Sequence, residues 1–120
     1  MLDWFGQHDA SALFISAVTE AELRTGVAIL PEGQRRDRLQ LAIDAMIDLD
    51  FQARVLSFDS LAAKAYAEIA AQRRTAGRPI AEADCQIAAI ARAINAPIAT
   101  RNVKDFDGCG VRVINPWNAE

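Results

Sequence analysis

The sequence predicts an α/β domain whose sheet is mostly parallel. Short apolar runs at residues 13–15, 55–56, 97–100 and 111–114 read as strands. Between them lie stretches with an apolar residue every third or fourth position, and Gly, Pro or a capping residue marks the joints. Strands that alternate with helices return through crossovers, which lays them parallel to one another.

Trp4 and Phe5 lie in a segment that reads as the tail of a helix ending near His8, a surface residue in polar company. Leu13-Phe14-Ile15 is an apolar run flanked by small residues, so a buried strand is expected. Thr19 and Glu22 then fit the S/T-x-x-E capping box, with Val18 and Leu23 placed as a hydrophobic staple. That helix tolerates Gly26 and ends at Leu30-Pro31-Glu32-Gly33. The next helix, Gln34 to about Asp48, carries Leu39, Ala42, Ile43, Met46 and Ile47 on one side. Arg35, Arg36 and Arg38 crowd its start, where the helix dipole opposes them, so partners for them are expected.

Val55-Leu56 is the next strand, with Phe58 close behind. Asp59 or Ser60 caps a third helix, in which Leu61, Ala65 and Ile69 form the apolar side, flanked by Tyr66, and Lys64, Glu68 and Gln72 the wet one. This stripe reads as core or subunit interface. Gly77 and Pro79 break the chain before a helix whose Ile87, Ile90, Ala91 and Ile94 recur at i, i+3, i+4 and i+7. Asp84 stands one turn earlier on that stripe. Asn95-Ala96 reads as a C-cap turn, Pro97 to Thr100 as a strand, Gly108-Cys109-Gly110 as a turn, and Val111 to Ile114 as the last strand before Asn115-Pro116-Trp117.

At 120 residues and 52% hydrophobic composition the chain is about one globular domain. It contains no apolar run near the ~18 residues that span a bilayer and no signal-peptide pattern at Met1, so the cytosol is the expected location. Cys85 and Cys109 are too few for a disulfide framework or a zinc site and read as free thiols. Thirteen basic and sixteen acidic residues leave a net charge of −3, which excludes nucleic-acid binding by bulk charge. Arginine is nevertheless clustered, at Arg35-Arg36 with Arg38 and at Arg73-Arg74 with Arg78. Such clusters are either solvated helix faces or sites that pair with RNA phosphates or an acidic peptide.

Three acids occupy equivalent places: Glu22 beyond one strand, Asp84 at a helix start, Asp105 beyond another strand. In an open parallel sheet those positions share one edge. Asp84 and Glu22 each have a structural explanation, as a first-turn acid favoured by the dipole and as a capping-box residue. Gathered in one cleft, the acids would repel one another unless a divalent cation neutralised them, and Mg²⁺ is the expected ion because it prefers oxygen ligands. No Walker loop, G-x-G-x-x-G or Ser/Cys nucleophile motif competes with this reading, and a single His excludes a two-histidine ribonuclease.

At these residues the sequence resembles the PIN-domain ribonucleases, specifically the VapC-type toxins of toxin–antitoxin pairs. The matching segments are Ile15 to Arg24, Gly77 to Asp84 and Ala99 to Phe106, and their order and spacing span nearly the whole chain. The resemblance implies a three-layer α/β/α fold and an endoribonuclease dependent on Mg²⁺ or Mn²⁺. It implies a homodimer whose cognate antitoxin blocks the site. It assigns the metal-site and catalytic acids to Glu22, Asp84 and Asp105, with Thr100 and Asn102 as supporting polar groups. The family's opening strand ending in Asp-Thr-Asn has no counterpart, since Met1-Leu2-Asp3 is followed by Trp4-Phe5. The expectation is therefore one PIN-like domain over 1–120, N-terminally truncated, lacking the first strand and its Asp. That departure leaves a second expectation open, a catalytically degenerate PIN fold that dimerises or captures an antitoxin. A third is a plain α/β domain whose acids only cap helices.

Overall fold

A computed structural model describes residues 14–100 and 102–115. The readings made above for Trp4, Phe5, His8, Leu13, Arg101, Pro116 and Trp117 lie outside them. The described residues divide into two compact units that meet in sequence at Ser57-Phe58. The α/β class holds, since strands alternate with helices and both strand pairings are parallel. Among the described residues no helix is long and apolar enough to cross a membrane.

The first unit runs β1 (Ile15–Ser16), α1 (Ala17–Ala28), α2 (Gln34–Ala45), a π-turn (Met46–Asp50) and β2 (Val55–Leu56). β1 pairs with β2 in the register Ile15 to Val55 and Ser16 to Leu56. Ser16 is buried and serves both as the end of the strand and as the N-cap of α1, accepting a hydrogen bond from the Thr19 N–H at 3.0 Å while donating to Thr19 Oγ1 at 2.9 Å. The cap thus lies one turn before the expected Thr19–Glu22 box, because a side-chain acceptor already stands where the strand ends. Leu23, expected in a staple, is 40% exposed. α1 and α2 are tied by Arg24, which donates from Nε to Glu20 at 2.7 Å and from Nη1 to Asp44 at 2.8 Å. The cluster Arg35, Arg36 and Arg38 makes no ion pair among the described residues, contrary to expectation.

The second unit carries α3 (Ser60–Thr75), α4 (Glu82–Ala93), β3 (Ile98–Ala99), a 3₁₀ turn (Val103–Phe106) and β4 (Val113–Ile114). α3 and α4 form its core, with Ala62, Ala65 and Ile69 on one helix and Cys85, Ala88 and Ala89 on the other all buried. Most of these residues are small, so the two backbones approach closely. The expected stripes shift accordingly: Leu61 is 64% exposed and Ala62 takes its place, while Ile94 is 50% exposed and the buried face of α4 centres on Cys85 and Ala88 to Ala91. β3 pairs with β4, Ile98 opposite Val113 and Ala99 opposite Ile114. Gly108 and Gly110, at φ +75° and +74°, make the turn before β4 in backbone conformations that glycine adopts without strain.

Asp59 caps α3, its Oδ1 accepting from the Ala62 N–H at 2.9 Å. Asp59→Ala removes that acceptor and is expected to cost about 1 kcal/mol of stability. Urea unfolding checks this, and an unshifted midpoint would mean that the cap contributes nothing.

Candidate metal centre at Asp84 and Asp105

Residues 78–81 run as extended chain into α4, and Ala81, at φ −62° and ψ 147°, is its N-cap. Asp84 follows as the third helical residue, half-buried, in a first turn that also holds Glu82. Unpaired N–H groups and the aligned peptide dipoles favour negative charge there. Asp84 accepts no hydrogen bond from the described side chains.

Asp105 reaches the same neighbourhood from the other side of the sheet connection. The Thr100 N–H donates to the Ile114 carbonyl at 2.9 Å, which fixes the residue at the end of β3 to the partner strand. Thr100 Oγ1 then accepts from the Asn102 N–H at 3.1 Å, and the Asn102 carbonyl accepts from the Asp105 N–H at 3.1 Å. Thr100 and Asn102 therefore act as a ladder of local hydrogen bonds that winds the 3₁₀ turn on which Asp105 sits, exposed. Burial pushes the Asp84 carboxyl above the ordinary carboxylate range, the negative charge of Asp105 pushes it further, and the Arg73 guanidinium pulls part of the way back. The structure thus brings Asp84 and Asp105 within each other's field.

Glu22 is an exposed residue of α1, in the other unit. Among the described residues no group of three Asp, Glu, His or Cys side chains is close enough together to hold a metal. The pair in the second unit still suits Mg²⁺, which is held by one or two carboxylates and completes its octahedron with water and substrate phosphate oxygens. Two acids that repel each other, with no side-chain hydrogen bond to either carboxylate among the described residues, have oxygens free that could serve as two of that ion's ligands. A cavity of about 320 Å³ beside the turn is lined by Val103, Lys104, Phe106, Asp107, Gly108, Val111 and Val113, and neither acid faces into it.

Arg73 is the residue that sequence reasoning missed. It had been grouped with Arg74 and Arg78 as a surface or ligand-binding cluster, yet it is only 8% exposed. Its signal was present: Ala62, Ala65, Ile69 and Arg73 continue one buried stripe at helical spacing. Arg78 stays at the surface and pairs with Asp107 at 3.0 Å, a solvated ion pair of small energetic weight.

Comparison with known proteins follows the same residues. The PIN domain family model matches residues 2–108. The plasmid stability protein StbB of Pseudomonas syringae pv. tomato is 44% identical over 119 residues, covering 99% of this chain and 86% of that protein. The VapC ribonuclease Y4jK of Sinorhizobium fredii is 39% identical over 117 residues, covering 98% and 84%. A solved structure of FitAB bound to an IR36 DNA fragment superposes with a TM-score of 0.92 at 36% identity, covering 99% of this chain and 83% of that one.

The Asp84 shift has a stability consequence. The folded chain holds the Asp84 proton more tightly than the unfolded chain does, so stability is full below the ordinary Asp value of about 3.9 and falls as pH rises through the raised folded value. Asp84→Asn should therefore raise the melting temperature at about pH 7 in chelator and leave it nearly unchanged at about pH 3. Thermal melts at the two pH values check this, and an equal difference at both would disprove the upward shift of the Asp84 carboxyl.

Proposed function

The chain belongs to the PIN-domain family and is related to the VapC toxins of toxin–antitoxin pairs, and from that premise we propose that it is the toxin-side member of such a pair, binding a cognate antitoxin protein. The observation that carries this reading is the apolar surface of the first unit, where Ile29 is 78%, Leu41 68% and Leu49 74% exposed. Large aliphatic side chains left in water are surface that a partner protein can cover, and their exposure supports the reading. A second copy of the chain is an alternative occupant, and a homodimer is compatible with antitoxin capture.

A second reading is favoured by the Asp84–Asp105 pair: metal-dependent endoribonuclease activity on RNA. In it Asp84 and Asp105 hold Mg²⁺ or Mn²⁺, and Thr100 and Asn102 keep Asp105 in place through their main-chain ladder. When bound, the cation would supply charge neutralisation at a phosphodiester and make a coordinated water more acidic, lowering its pKa. The chain's own contribution is to hold two like charges close together on rigid turns, so that binding the ion relieves their repulsion. RNA as substrate, rather than DNA, rests on the family kinship.

Two measurements separate the readings. Gel filtration of the tagged chain with the product of an adjacent small reading frame is expected to give a stable complex, weakened at least about tenfold by Leu41→Asp through loss of a buried apolar anchor. Separate elution of the two proteins at micromolar concentration refutes the binding role. Incubation with RNA and Mg²⁺ is expected, on the second reading, to give chelator-sensitive cleavage that Asp84→Asn lowers by about a hundredfold or more, the upper end of what losing a metal-site contact costs. Cleavage that survives Asp84→Asn unchanged removes Asp84 from the site.

A further inference from the structure

Arg73 sits where the end of α3, the turn entering α4 and the 3₁₀ turn meet. Its Nε donates to the Arg78 carbonyl at 2.6 Å, and its Nη1 to the carbonyls of Asp105 at 3.1 Å and Asp107 at 2.9 Å. Nη1 also lies 3.6 Å from Cys109 Sγ. Gly108 lies against the aliphatic stem, where a Cβ would stand 3.7 Å from Arg73 Cδ. None of these hydrogen-bond acceptors is a carboxylate, so the guanidinium's charge is not neutralised by an ion pair. Asp84 nevertheless feels it. A planar guanidinium can serve carbonyls in several fixed directions at once, which a lysine ammonium cannot do with the same geometry.

We propose that Arg73 is a positioning residue for the acid pair: by gripping the main chain at the Asp105 carbonyl and again two residues on at Asp107, it sets where the Asp105 carboxylate stands relative to Asp84. Residues 105 and 107 are held by one nitrogen, so the backbone between them has little freedom to swing. The positive charge beside the acids also lets them stay close before any cation binds. This inference rests on the metal-site reading of Asp84 and Asp105. The proposal concerns placement, and charge acts on cation binding in the opposite sense, because a nearby arginine repels Mn²⁺.

Calorimetric titration of Mn²⁺ into the full chain tests it, with Arg73→Lys, Asp105→Asn and the double variant compared with the parent. Arg73→Lys keeps the charge and loses the fork, and it is expected to weaken Mn²⁺ binding about tenfold, as loss of an outer partner of a metal ligand does. In the Asp105→Asn background the same change should alter binding less than about twofold, because an effect transmitted through Asp105 vanishes with that carboxylate. An undiminished effect in that background means that Arg73 acts only on general stability, and the proposal fails. Parent-like Mn²⁺ binding by Arg73→Lys also overturns it. If Arg73→Lys does not fold, Arg73→Gln decides: loss of a positive charge alone tightens cation binding, so weaker binding supports the proposal and equal or tighter binding refutes it. A parent chain that binds no Mn²⁺ sinks the metal-site reading and this inference with it, whereas Mn²⁺ binding by the parent that is indifferent to Arg73 sinks this inference alone.

Discussion

A buried guanidinium has to be solvated by something, and in this protein the solvent is main-chain carbonyl. Arg73 enters the core at the end of the α3 stripe, and its N–H groups take carbonyls from residues 78, 105 and 107. Leaving any of those donors unmet inside the fold would cost on the order of 1–3 kcal/mol, more for a charged group. The chain between 105 and 109 is therefore obliged to fold back over α3, and Gly108 and Gly110 provide the positive φ angles that the return needs. Phe106 and Cys109 are buried by the same return. The position of Asp105 follows from this constraint.

The acid pair is a local conflict that the rest of the unit tolerates. The start of α4 favours the charge of Asp84, and the neighbouring Asp105 and partial burial disfavour it. Folding does not remove the conflict, because the α3–α4 packing of Ala62, Ala65, Ile69, Ala88 and Ala89 is buried and apolar and offers the acids no polar partner. The conflict sits on a turn and a helix start held by scaffold residues, the kind of place where local preference is given up for a binding role.

Much of this was legible in the sequence, and the misses have physical causes. The Asp59 cap, the Asn95 turn at φ 56° and the Gly108 to Gly110 turn follow from short-range chemistry that one segment carries by itself, and the parallel pairings from the alternation of strands with helices. The α1 cap was placed too late because Ser16 belongs to a strand and a helix at once, and periodicity assigns it to neither. Leu61 and Ile94 were read as core because large aliphatic side chains dominate any stripe. Here alanines and a cysteine set the contact face, and the leucine and isoleucine at the helix ends fall outside it. For Arg73 the sequence offers a solvated face or a ligand-binding cluster, because arginine is seldom buried, and the structure gives neither. Its burial depends on carbonyls more than thirty residues away, which no local pattern contains. That Asp84 and Asp105 lie close enough for one to influence the other agrees with their places at a helix start and beyond a strand of the same unit.

The packing that positions the acids also determines which side chains can do chemistry. Cys85 and Cys109 are both buried, at 1% and 0% exposure, and would be the obvious nucleophiles beside a carboxylate pair. Burial pushes each thiol above its ordinary range. The hydrogen bond and charge of Arg73 only partly oppose this at Cys109, and at Cys85 its charge alone does so. A thiol held protonated and out of solvent is neither a nucleophile nor a metal ligand. The close approach of α3 and α4 therefore silences the two cysteines while it presents Asp84 at the helix end. Among the described residues of this unit the groups left for binding an ion are oxygens, hard donors of the kind that hard cations prefer.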